Sequence, residues 1–336
     1  MLFLCTLLHL TVDGVCGAAL AAYAVNEPEY ANIVYYFHLY SLIAFGGQWL
    51  AGLALDRKVN WVLPGLAVVP VLLGLGALRG PGVLVQAVLL GLGNCVFHVA
   101  AGILILRRYH GYGEPGIFIS GGAIGLGLGI NQICGPALFL CACAATTVAV
   151  VLLASRKAVD PDAVDEHVRT TGTRRASGLI SVGAAALLLV CVTLRGFAGG
   201  GGLTAGHVML LPCVFALGKA LGGVCCDAVG YRRTIALIFM LSAVSLHAAA
   251  LPLPGAWHLL PPLLLSLSFN MTMPLTLRLL HRCFPARPGL TFGLAAGCLL
   301  PGAFWRESFA MLPHVMIAVQ FLGLFAADAA IRRRAA

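Results

Sequence analysis

The sequence predicts an all-α membrane protein in which twelve transmembrane helices form two pseudo-symmetric six-helix halves. Three observations predict it. The 336 residues are 60% hydrophobic and only 10% charged, with a mean hydropathy of +0.96, whereas soluble domains carry roughly a quarter charged residues. A soluble chain this poor in charge could not cover its surface with polar groups, and a disordered chain needs the opposite composition. Apolar runs of about 20 residues, the length that crosses a bilayer core ~30 Å thick, recur from one end to the other. The net charge of +9 is spread in short groups between those runs, which points to membrane orientation rather than to nucleic acid.

In order, the runs are 2–24, 31–55, 60–78, 82–106, 115–131 and 135–154, then 179–197, 206–227, 233–252, 257–279, 288–304 and 311–331. Span 1 lacks a basic leader and carries His9 and Asp13 in its middle, so it reads as a retained span rather than a signal peptide. Span 2 ends in Gly52-Leu-Ala-Leu-Asp56-Arg57-Lys58. Spans 3 and 6 contain almost nothing polar, while span 4 carries Asn94 and His98. Span 5 opens at Pro115 and repeats Gly121, Gly125 and Gly129 at every fourth position, a small-x-x-x-small pattern that permits close helix packing. The one long connection, 155–178, holds Asp160, Asp162, Asp165 and Glu166 and separates an N-terminal half (1–154) from a C-terminal half (179–336). Span 7 carries Arg195 at its outer end, before Gly199–Gly202, and span 8 carries Lys219 and runs into Gly223-Val-Cys-Cys-Asp227-Ala-Val-Gly230-Tyr-Arg232-Arg233. Span 10 carries Asn270, span 11 opens at Pro288, and span 12 holds His314, Gln320 and Asp328, read as packing or interface residues.

The basic residues test the count, because a wrong number of helices scrambles their alternation. With the N-terminus inside, seventeen Lys and Arg fall on one side and three (Arg79, Arg195, Arg306) on the other, leaving Lys219 within a span. Both termini and the long connection are therefore expected in the cytoplasm. An internal repeat agrees: Asp56 and Asp227 are 171 residues apart, and Pro115 and Pro288, which open spans 5 and 11, are 173 apart. Parallel six-helix halves related in this way are the arrangement of transporters whose site lies between the halves at mid-membrane.

The Gly-x-x-x-Asp-x-x-Gly-x-Arg-Arg loop after span 8, its shorter copy after span 2, the twelve spans and the long central connection resemble the major facilitator superfamily over essentially the whole chain. Within it, HLTVD in span 1, GLGNCVFHVAAG in span 4, PGIFISGGAIGLGLG in span 5 and ALGKALGGVCCD in span 8 resemble the bacterial branch of fosmidomycin-resistance exporters. The resemblance implies spans 1, 4, 7 and 10 around a central cavity. It also implies a secondary active transporter working by alternating access, a proton-coupled exporter of a drug-like or metabolite solute. Uptake by symport is the alternative within transport; a non-transporting receptor or a membrane-embedded enzyme is the alternative outside it. The expected location is the cell membrane, specifically a bacterial inner membrane, with a monomeric chain, a small solute, protons and lipid as partners, and no nucleic acid.

Ionisable groups inside a membrane are costly, about 2.5 to 3.5 kcal/mol each on insertion scales, and mark functional positions. Asp13 and Lys219 are the two charges near mid-span, one from each half, at depths that allow a pair across the cavity. His9 lies one turn before Asp13, His98 one turn after Asn94, and Asn270 at a depth similar to that of Asn94. Together with Arg195 at the outer mouth, these seven form the expected substrate and proton pathway. Gly52, Asp56, Arg57, Gly223, Asp227, Gly230, Arg232 and Arg233 form the expected cytoplasmic gate, in which an acid capping a helix end and arginines in a tight turn hold one conformation. No cofactor or metal is expected. The twelve cysteines sit in apolar runs as small hydrophobes, no Cys-x-x-Cys or His-Glu-x-x-His occurs, and Gly218-Lys219-Ala220 lacks the pattern of a nucleotide loop.

Overall fold

A computed structural model describes residues 1–77, 82–156, 178–197, 209–305 and 313–335. Arg79, Arg306, Gly199–Gly202 and the acidic stretch of the central connection lie outside the described residues. The described chain is helical: α1 (Leu2–Asn26), α2 (Tyr30–Ser41), α3 (Gln48–Arg57), α4 (Val62–Ala77), α5 (Val83–Arg108), α6 (Gly113–Ile130) and α7 (Pro136–Arg156) in the N-terminal half. The C-terminal half contributes α8 (Gly178–Phe197), α9 (Leu210–Val229), α10 (Tyr231–Ala248), α11 (Leu260–Cys283), α12 (Pro288–Gly297), α13 (Leu300–Trp305) and α14 (Pro313–Ala335).

These helices occupy the twelve predicted runs, with ends within four residues of those read from the sequence. Eight described helical segments are each long and apolar enough to cross a membrane. The remaining four runs have visible reasons for falling short. The second is broken by a π-helical turn, Leu42–Gly46, between α2 and α3. The fifth, α6, is rich in glycine, and the ninth, α10, opens on Tyr231-Arg232-Arg233. The eleventh divides into α12 and α13 just before Pro301, which has no N–H to continue a helical ladder. Both termini lie at one end of the bundle. The Leu2 N–H donates to the Tyr109 hydroxyl at 3.2 Å beside the end of α5, and Asp328 near the C-terminus pairs with Arg232 at the α9–α10 turn. An even number of crossings follows.

Each half has its own apolar core, and the few residues that trade cores are informative. Leu277 and Phe292 of the C-terminal half belong to the N-terminal core, while Tyr112 of the N-terminal half belongs to the other. The contacts between the halves are reciprocal: α6 packs on α9, and α12 packs on α3. Inside the N-terminal half, α1 and α6 approach backbone to backbone. A methyl group at Gly121, Gly125 or Gly129 would run into the main chain of Thr6, Leu10 or Gly14, so the fourfold glycine spacing makes this contact possible. The cysteines form no disulfide among themselves.

Candidate functional site

Between the halves lies a cavity of about 220 Å³ lined by His9, Asp13 and His98 from one side and by Lys219, Arg195 and Thr276 from the other, with Gln48, Phe45 and Phe292 among its remaining walls. Asp13 is held by its own half. The Asn94 amide donates to Asp13 Oδ1 at 2.9 Å, His9 Nε2 lies 3.4 Å from Oδ2, and His98 Nε2 lies 3.8 Å from Oδ1. Both rings are anchored from behind: His9 Nδ1 donates to the Phe118 carbonyl and His98 Nδ1 to the Asn94 carbonyl, each at 2.9 Å. The carbonyls can only accept, so they fix the tautomer and aim both Nε2 atoms at the carboxylate.

The opposite wall is cationic. Arg195 is buried and donates to the hydroxyls of Thr276 at 3.2 Å and Thr272 at 3.5 Å. Neither Arg195 nor Lys219 forms an ion pair within 4.0 Å with an acidic group among the described residues. The pair that the depths of Asp13 and Lys219 allow is not formed within 4.0 Å: the two share a cavity, but Asp13 is occupied by Asn94 and the histidines. Arg195 lies on the cavity wall, its guanidinium against Thr272 and Thr276 of α11. Asn270 does not line the cavity. Its amide turns back to the Ser266 carbonyl at 2.9 Å, and its Cβ faces Gly218 of α9. Gln48 was missed by sequence reasoning, yet it is fully buried, lines the cavity and keeps an unpartnered Oε1. The repeat could have found it, since Gln48 and Lys219 each lie eight residues before the aspartate of their motif.

At the end of the bundle that holds both termini, the two motif aspartates reach across to the opposite half. Asp56 accepts from the Gly289 and Leu290 N–H groups at 2.8 Å each, at the start of α12. Asp227 accepts from Tyr112 at 2.9 Å and Gly113 at 2.6 Å, at the start of α6. The first N–H groups of a helix have no partner within it and carry the positive end of its dipole, so a carboxylate placed there is doubly favoured. The motif glycines make room for this. Gly52 and Gly223 lie one turn before their aspartates on the same face, and a methyl at either would meet the main chain of Gly289 or Tyr112. Gly230, at φ +88°, turns the chain between α9 and α10 in a conformation that other residues rarely adopt. Arg232 pairs with Asp328 at 3.3 Å within its own half, while Arg57 and Arg233 are exposed. Asp328, read from sequence as a packing or interface residue, is a buried acid shared by Arg232 and Arg332. A further cross-half residue was counted in the sequence only among the seventeen basic residues of one side: Arg278 is buried and donates to the carbonyls of Gly111 at 2.8 Å and Tyr109 at 2.6 Å.

No protein-family model matches the sequence, and no curated protein matches it. Solved structures do. A bacterial homologue of the iron transporter ferroportin, in an outward-facing state, aligns with a TM-score of 0.61 and 13% identity over 99% of both chains. The major facilitator superfamily transporter FucP, in an outward conformation, aligns with a TM-score of 0.61 and 13% identity over 98% of this chain and 97% of its own. The superfamily's proton:xylose symporter XylE aligns with a TM-score of 0.56 and 14% identity over 98% and 94%. The chain thus has the fold of the major facilitator superfamily.

Proposed function

We propose that the protein is a secondary active transporter of a small anionic solute, working by alternating access. The observation that carries this reading is the cavity between the halves, with an acid and two histidines on one wall and two cations on the other. It lies in a bundle whose one end is tied by reciprocal carboxylate caps. A built enclosure with charges from both halves serves binding and release as the halves rock. Lys219 and Arg195 supply the charge for an anion, and the Arg195 guanidinium can engage a carboxylate or phosphate group bidentately. Gln48 and Thr276 add neutral hydrogen-bonding capacity.

The coupled ion in this reading is the proton, and Asp13 carries it, as the acid of the cavity. Export follows from the resemblance of the motifs in spans 1, 4, 5 and 8 to fosmidomycin-resistance exporters. The tied end is the cytoplasmic one, in keeping with the excess of Lys and Arg there, and the membrane is the bacterial inner membrane. The test is transport in proteoliposomes loaded with labelled organic anions. Wild-type protein should accumulate one of them when a pH gradient drives it. Asp13→Asn should lose gradient-driven accumulation yet retain exchange of labelled for unlabelled solute, since exchange needs rocking but no net proton movement. Full gradient-driven transport by Asp13→Asn would remove Asp13 from the coupling mechanism.

A further inference from the structure

We infer that His9, Asp13 and His98 form a binding site for a divalent transition-metal ion inside the cavity. That the ion is cargo rests on the transport reading above; that it binds does not. The argument starts from lone pairs. Both Nδ1 atoms donate to carbonyls at 2.9 Å, so in a neutral ring the lone pair is on Nε2. Both Nε2 atoms face the Asp13 carboxylate, at 3.4 and 3.8 Å. Three electron-rich atoms converge within one small space. The two rings lie 4.6 Å apart between centroids, in a cavity that also holds Lys219 and Arg195. One divalent ion satisfies all three ligands at once.

The dimensions agree. The ligand atoms all lie within 4.8 Å of one another, and nitrogen and oxygen ligands at about 2.1 Å from an ion are separated by roughly 3 to 3.5 Å, so small side-chain rotations close the site. The surroundings are those of a metal site as well. Histidine ligands characteristically donate their other ring nitrogen to a carbonyl, and ligand carboxylates are themselves hydrogen-bonded, as Asp13 is by Asn94. The Asn94 Oδ1 beside it is buried without a partner. Two imidazoles and one carboxylate suit zinc, iron(II), cobalt or nickel rather than magnesium or calcium. No local spacing announced this site, because His9 and Asp13 come from α1 and His98 from α5. Lys219 and Arg195 oppose a bare cation, so the ion is best held together with an anion that fills its open coordination positions and meets the cationic wall.

Cobalt chloride titrated into the detergent-purified full chain tests this through the intense visible bands of low-coordinate Co²⁺. Wild type should take up Co²⁺ at one site, release it to Zn²⁺, and bind it more weakly as pH falls, because protons compete for the same three ligands. His98→Gln and Asp13→Asn should each lower the affinity by about 10-fold or more. Lys219→Gln should raise it about 5-fold by removing a facing charge, a gain that a misfolded variant cannot give. A wild-type spectrum that stays that of aqueous Co²⁺, or triad variants that bind as tightly as wild type, would overturn the inference. Solute transport by the same preparation would then still stand, so the two readings fail separately.

Discussion

At the scale of single residues, the two walls of the cavity divide the work. The N-terminal half offers acceptors (Asp13, the two Nε2 atoms and Gln48 Oε1), and the C-terminal half offers donors (Arg195 and Lys219). A buried guanidinium whose partners among the described residues are two hydroxyls is poorly compensated, and an anionic solute improves its position. Arg195→Gln should therefore raise the KM for a transported anion by roughly 10- to 100-fold, the loss of a hydrogen bond to a charged group. Initial rates in proteoliposomes measure it, and an unchanged KM would leave Arg195 a helix-packing residue of α8 and α11. Much of this was legible in the sequence, because charge inside an apolar run is conspicuous. Asp13, His9, His98 and Lys219 all line the cavity. What was not legible is partnership: depth along a span cannot tell that Asn94 faces Asp13 while Asn270 folds back on Ser266, since that depends on the rotation of each helix about its axis.

At the scale of elements, the repeated motif is a device for docking one half on a helix start of the other. Its glycine removes a side chain so that the opposing helix can approach, and its aspartate, one turn on, accepts that helix's free N–H groups. Gly223→Ala should keep the protein folded but weaken the docked state, since its methyl meets the Tyr112 carbonyl. A cysteine at exposed Arg287 should then react faster with a polar thiol reagent. Unchanged reactivity in both Gly223→Ala and Gly52→Ala would make the glycines a feature of folding alone. Losing one carboxylate cap should cost the docked state about 1 to 2 kcal/mol, or roughly a 5- to 30-fold shift in population. The sequence reading found these loops because a repeat at fixed offset is hard to miss. It did not find the π-helical turn at Leu42–Gly46 or the break between α12 and α13, because hydropathy over a 20-residue window averages over such short interruptions.

At the scale of the whole molecule, alternation of basic residues and an internal repeat carried the architecture from sequence to fold. Chain termini at one end and reciprocal α6–α9 and α3–α12 contacts are what two related halves require. In a cysteine-free background, single cysteines at Glu27 and Ala256 should react with an impermeant reagent from outside intact cells, and one at Lys58 only after permeabilisation; reaction of Lys58 from outside would invert the orientation. The central claim is that the caps at Asp56 and Asp227 hold the halves together at one end and that their loss opens it. Double electron–electron resonance between spin labels at Lys58 and Arg287, and separately at Glu27 and Ala256, measures both ends of the bundle. Wild type should give a short, narrow distance for the first pair. Asp56→Asn with Asp227→Asn should lengthen that distance and shorten the second, and distributions unchanged at both ends in the double variant would contradict alternating access governed by these caps.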